Sequence, residues 1–194
     1  AEPVRPARPE EPVRPRDKVS TYDFKRPERV GKEQMRSLQT MHEGFGRNFG
    51  AALSALLRTM VEVKLTSVDQ LTYSEFVFSL ENPTCFNLLT VKPWDGSVCL
   101  EISPLIIYPI IDRLLGGAHV DAFIPQRALT TIEQRLVGRI TERALKLLGD
   151  AWSSLGVTGF ELTQSESNPH LVQVVAPNEV VVVVHDGRAF EELG

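Results

Sequence analysis

The groups in this chain that could do chemistry are few and far apart. His42, His119, His170 and His185 stand at scattered positions, and none falls at a metal-ligand spacing such as H-x-x-x-H or beside a C-x-x-C pair. No metal site is expected. Cys85 and Cys99 are too few for a disulfide framework and read as small core or sheet residues. There is no G-x-S-x-G elbow and no Walker loop, and the Ser and Asp residues nearest a histidine lack the sequence context of a triad. The run Gly44-Phe-Gly46-Arg-Asn-Phe-Gly50 has the composition of a phosphate cradle, yet it lies inside a helical pattern rather than between a strand and a helix start. Glycines within a helix cost about 1 kcal/mol each relative to alanine, so the better use is close approach of another backbone. Neither a catalytic site nor a cofactor is implied.

Gly116-Gly117 is the most informative local feature. One glycine at the end of a helix accepts the left-handed conformation that closes the last turn. The second goes beyond what a cap needs and frees the loop backbone to approach another surface. The following residues, Ala118 to Ile124, offer apolar side chains on a loop between helices. The diglycine and the loop after it could thus come close to another surface.

The elements that must position this corner follow from periodicity. Prolines at 3, 6, 9, 12 and 15 repeat every three residues, as along one edge of a polyproline II helix, so residues 1–32 read as a largely disordered linker. From Glu33 to Met60 apolar residues recur every three or four positions, the mark of a long amphipathic helix. Val61, Val63 and Leu65 alternate with charged residues, and the phase slips near Thr66-Ser67, which predicts a strand with a bulge. Thr72-x-x-Glu75 is a capping box for a short helix. Phe86 to Val91 and Val98 to Ile102 read as a hairpin through Asp95-Gly96. Ser103-Pro104 opens a helix that stops at Gly116-Gly117. Thr130-x-x-Glu133 opens a second long helix, ending near Gly156. Phe160 and Leu162 mark a strand, Leu171 to Val175 adds apolar extended sequence, and Val180 to Val184 reads as a strand buried on both faces.

Side by side, the halves form a repeat: long helix, extended chain, Pro/Asn turn, strand, then Asp95-Gly96 or Asp186-Gly187. The expected fold is α/β, a pseudo-twofold repeat of helix-strand units with a central sheet flanked by long amphipathic helices. Residues 33–194 form this domain. Its second repeat is cut short, which leaves a sheet edge exposed or covered by a partner.

Charge narrows the partners. Residues 1–32 carry nine Lys/Arg against six Asp/Glu, while 33–194 carry twelve against nineteen. An acidic domain without a basic helix repels phosphates, so nucleic acid is disfavoured. The longest apolar run, Leu105 to Ile111, is far short of the roughly 20 residues a bilayer crossing needs. Nothing at the N-terminus marks the chain for export, so it is expected to stay inside the cell.

Tyr22-Asp23-Phe24-Lys25-Arg26-Pro27, Val61-Glu62-Val63-Lys64-Leu65, Ser67 to Tyr73, Asp112-Arg113-Leu114-Leu115-Gly116-Gly117, Asn168-Pro169 and Ala176 to Val184 resemble, in order and spacing, the middle domain of the FliM family. The resemblance spans about residues 22–184. It implies a fold shared with chemotaxis phosphatases of the CheC and CheX type, and a place in the flagellar motor switch on the cytoplasmic face of the inner membrane. It further implies binding to FliG through the diglycine loop, with Asp112, Arg113, Gly116, Gly117, Ala118 and His119 as the candidate binding residues, and binding to neighbouring FliM copies. FliN and phosphorylated CheY would be met by regions absent from these residues. In the family the loop reads Gly-Gly-x-Gly, and here His119 holds the fourth position.

A phosphatase acting on CheY is the competing reading. It needs a Glu and an Asn one helical turn apart, to hold a partner lysine and to orient water. Three residues after Glu43, Glu133 and Glu142 come Gly46, Leu136 and Leu145, none of which orients water. A dimerisation module outside motility would keep the fold and lack the loop contact.

Overall fold

A computed structural model describes residues 30–94, 96–117 and 124–190. The proline-rich stretch, Asp95 and residues 118–123, which include Ala118 and His119, lie outside the described residues.

The helices and strands alternate as the periodicity requires. Helix α1 spans Lys32–Leu57, strand β1 Val61–Thr72, helix α2 Tyr73–Ser79, and strands β2 and β3 Cys85–Lys92 and Gly96–Ile102. Helix α3 follows at Pro104–Leu114, then α4 at Thr131–Trp152, β4 at Gly159–Glu166 and β5 at Val180–Phe190. Three caps set the starts: Thr72 and Thr130 each form a capping box with the glutamate three residues on, and the Ser103 hydroxyl accepts from the Leu105 amide. The bulge expected in β1 is present between Leu65 and Ser67.

The strands make two sheets rather than the single one expected. β1 pairs antiparallel with β5, and β3-β2-β4 form the other sheet. The pairing is nevertheless reciprocal. The strand after the first long helix, β1, pairs with the last strand of the second half, while the strand after the second long helix, β4, pairs with β2 of the first half. That exchange is what a twofold between two like units produces. Helix α1 lies over β1, α4 lies over β4, and the two helices pack on each other.

The glycines of α1 explain how closely it can lie. A Cβ on Gly46 would sit 3.0 Å from the Val63 carbonyl oxygen, and one on Gly50 would sit 3.1 Å from that of Val61. Strand β1 runs against the bare helix backbone, the close approach anticipated for this glycine run. The core fills in around that contact. Phe45 meets Leu89, Ala144, Leu148 and Phe160 between α1, α4 and the larger sheet. Leu53, Val61, Ile110 and Ile140 join α1, β1, α3 and α4. Leu89 is 0% exposed, and truncation to alanine at such a site costs about 2–5 kcal/mol.

Three expectations are corrected. Leu171 to Val175 is not a strand: Asn168 caps the His170 amide, Pro169 opens a 3-10 turn, and the Tyr73 hydroxyl donates to the Val172 carbonyl at 2.6 Å, holding the segment as a packed loop. The valines of β5 are not buried on both faces; of Val180 to Val184 only Val183 is buried, because among the described residues β5 is paired along one edge alone and Val181 to Val184 line an open groove. Asp186-Gly187 is no hairpin turn, since both residues lie within β5 opposite Leu65 and Lys64.

Candidate functional site

The corner singled out by the diglycine is the C-terminal end of α3. Ile107, Tyr108, Ile110 and Ile111 are buried and fix the helix on the core, so its last turn projects from a firmly held base. The turn ends in a Schellman motif: the Gly117 amide donates to the Asp112 carbonyl at 2.8 Å, and the Gly116 amide donates to that of Arg113 at 3.1 Å. Gly116 has φ +94°, a conformation that favours glycine, and no atom lies within 4 Å of where its Cβ would be.

Gly117 meets a different constraint. A Cβ there would collide with the Asp112 carboxylate, which folds back over the glycine. The Gly117 amide closes the motif, as any residue's amide would, and its missing side chain leaves the space in which the Asp112 carboxylate lies. The structure brings Asp112, Arg113, Gly116 and Gly117 onto one turn. Asp112, Arg113 and Gly117 are half-buried, Gly116 is exposed, and Leu115 beside them is 70% exposed.

Where the chain is described again, it is clamped. Ile124 and Leu129 pack against the cluster of Cys85, Ile107, Tyr108, Ile111 and Val137. The Arg127 guanidinium donates to both carboxylate oxygens of Glu133, at 2.8 and 2.9 Å, and Tyr108 donates to the Arg127 carbonyl. Glu133 also receives the Thr130 amide at 2.6 Å and the Thr130 hydroxyl at 2.8 Å. The Arg127 hydrogen bonds, with those of Thr130, pull the Glu133 carboxyl down to about 2. The α3 cap and the Arg127–Glu133 clamp are thus both firmly anchored. Sequence reasoning found the capping box and missed Arg127, because an arginine in a loop six residues before its partner carries no periodic signal.

The remaining groups named from sequence have structural surroundings. His42 is buried, with Nε2 accepting from the Trp152 indole at 3.3 Å, and burial lowers its pKa. Cys85 is buried on β2 and Cys99 is half-buried on β3, where burial pushes its thiol up to about 11. Three residues beyond Glu43 lies Gly46, pressed on Val63, and three beyond Glu142 lies Leu145 in the core. Among the described residues, no helix is long and apolar enough to cross a membrane.

Two reciprocally paired helix-strand units presenting one capped helix end define a class of α/β scaffold with an exposed corner. The chain belongs to the FliM family: the family model described as flagellar motor switch protein FliM matches residues 31–190. The Treponema pallidum (strain Nichols) flagellar motor switch protein FliM is 42% identical over 173 residues, covering 89% of this chain and 50% of that protein. This chain spans about half the length of the curated relatives it matches. Among solved structures, a FliG–FliM complex from H. pylori superposes with a TM-score of 0.79 at 39% identity, over 82% of this chain and 87% of the other. The FliM middle domain from H. pylori gives 0.75 at 38% identity, over 83% and 87%.

Proposed function

We propose that this chain is a non-enzymatic adaptor of the bacterial flagellar motor switch, which binds FliG through the end of α3. Asp112, Arg113, Gly116, Gly117, Ala118 and His119 are the contact residues. The observation that carries the reading is the α3 corner itself, a glycine-closed turn with exposed Leu115 on a buried helix. A similar protein, 39% identical, has been solved as a FliG–FliM complex. Residues 33–194 act as the platform and 1–32 as its linker. Neighbouring copies associate side by side through the long helices, at the cytoplasmic face of the inner membrane in the flagellar basal body. FliN and phosphorylated CheY are engaged by parts of the protein outside these residues.

The phosphatase reading fares worse on a specific point. Glu133 is spent on Arg127 and Thr130, and the positions one turn after Glu43 and Glu142 are a helix-packing glycine and a core leucine. Co-purification of this chain with FliG tests the adaptor reading. Capture that is lost when Arg113 and Leu115 are both changed to alanine supports it; undiminished capture refutes the assignment of the corner.

A further inference from the structure

A side-chain hydrogen bond ties the two long helices together. The indole of Trp152, the last residue of α4, donates at 3.3 Å to Nε2 of His42 in α1. His42 is 8% exposed and stands edge-on to Phe45 and Trp152, with ring centroids 5.9 and 6.1 Å away. Trp152 in turn stands edge-on to Phe160 of β4 at 5.8 Å. The pair thus joins α1, the end of α4 and the start of β4.

Accepting at Nε2 requires a neutral ring whose one proton is on Nδ1. An imidazolium carries a proton on both nitrogens, so protonation sets two donors, Nε2–H and the indole N–H, against each other. Nδ1 has no partner among the described residues, so it offers the charged ring no support there. The charged residues nearest in sequence to the pair, Glu43 of α1 and Asp150 of α4, are exposed. Across the groove that His42 lines, the titratable groups are Tyr73 of α2, Cys99 and Glu101 of β3, and His185 and Asp186 of β5. Burial alone sets the shift of His42, lowering its pKa from 6.5, so no neighbouring charge holds the imidazolium.

We infer that His42 and Trp152 form an acid-sensitive latch between α1 and α4, closed by the neutral ring and opened when the ring takes up a proton. With the latch open, Phe45 still packs on Ala144 and Leu148, so the change is a loosening at the end of α4 rather than unfolding. The sign follows from burial. Below 6.5 the unfolded chain accepts a proton that the folded ring resists, so stability falls as pH drops below that value until the folded ring is itself protonated. The inference does not depend on the flagellar reading.

Nuclear magnetic resonance of the full-length protein with isotope-labelled tryptophan reads the latch through the Trp152 indole resonance, assigned by its loss in Trp152→Phe. Expected is a shift of that resonance as pH falls from about 8 to 5, with its midpoint below 6.5, together with loss of protection from solvent exchange. In His42→Gln the amide oxygen accepts from the indole at every pH, and the resonance should stay flat. A resonance that does not move in the parent protein, or that moves alike in His42→Gln, overturns the proposal. Should the glutamine variant fail to fold, the imidazole gives a second reading. Removing the indole donor in Trp152→Phe favours the protonated ring, so His42 should titrate at higher pH there than in the parent protein. An unchanged midpoint contradicts the latch.

Discussion

The Asp112 carboxylate of α3 rests in the space that a side chain on Gly117 would need, while the Gly117 amide donates to the Asp112 carbonyl at 2.8 Å. The two residues are locked by backbone and by shape. Gly117 itself does not have a positive φ, so a larger residue there keeps the backbone and moves the carboxylate. Gly117→Leu is expected to weaken FliG binding at least about tenfold, or about 1.4 kcal/mol, in a calorimetric titration. The same variant is expected to keep its Tm within roughly 2–4 °C. Gly116→Val should behave otherwise. A β-branched residue at φ +94° is strained by about 1–3 kcal/mol, and this shows as a loss of stability in chemical denaturation.

The glycines of α1 give a test by sign. Gly→Ala in a helix ordinarily stabilises by up to about 1 kcal/mol. Gly44→Ala should do so, since the new Cβ would meet only Arg47 at 3.9 Å. Gly46→Ala and Gly50→Ala should destabilise by about 1–3 kcal/mol, because the added carbon presses on carbonyls of β1, which the β5 ladder holds in place. Urea unfolding of the three variants distinguishes packing from propensity.

Glu133 gives a pH signature in acid. Its carboxyl is held at about 2, below the ordinary 4.5, so the folded state releases a proton that the unfolded state retains between those values. The stabilisation is complete above pH 4.5 and fades as pH falls toward 2. Thermal melts of Glu133→Gln should lie below those of the parent chain at pH 6 and converge with them near pH 2.

Asp186 works in the opposite sense. Burial raises its carboxyl from 3.8 to about 6, with His185 pulling it partly back. The folded state keeps a proton that the unfolded chain has lost, so stability falls as pH rises from about 4 to 6, and the cost stays in place above that window. Asp186→Asn should raise the Tm of this chain at pH 7 by roughly 2–4 °C and flatten its dependence across that range.

Much of the fold was legible because local rules were obeyed locally. The capping boxes at Thr72 and Thr130, the bulge by Thr66 and the Ser103-Pro104 start all fall where the residues indicated. Asp186-Gly187 misled for a physical reason: the dipeptide favours turns, but here Gly187 faces the bulge, where a Cβ would meet the Thr66 hydroxyl at 2.7 Å. The separation into two sheets was not legible, because free edges depend on which strands meet in space. At the site, Gly116 and Gly117 were found through cap chemistry and Asp112 through the family resemblance, whereas the Arg127–Glu133 clamp joins a loop to a helix and leaves no mark on periodicity.

The most direct measurement is titration of the purified FliG middle domain into this chain and into its Gly117→Leu variant at equal folded fraction. A saturable complex with the parent chain, weakened at least about tenfold by the substitution, is the expected result. Equal affinity for both chains would mean that the corner at the end of α3 does not hold the partner.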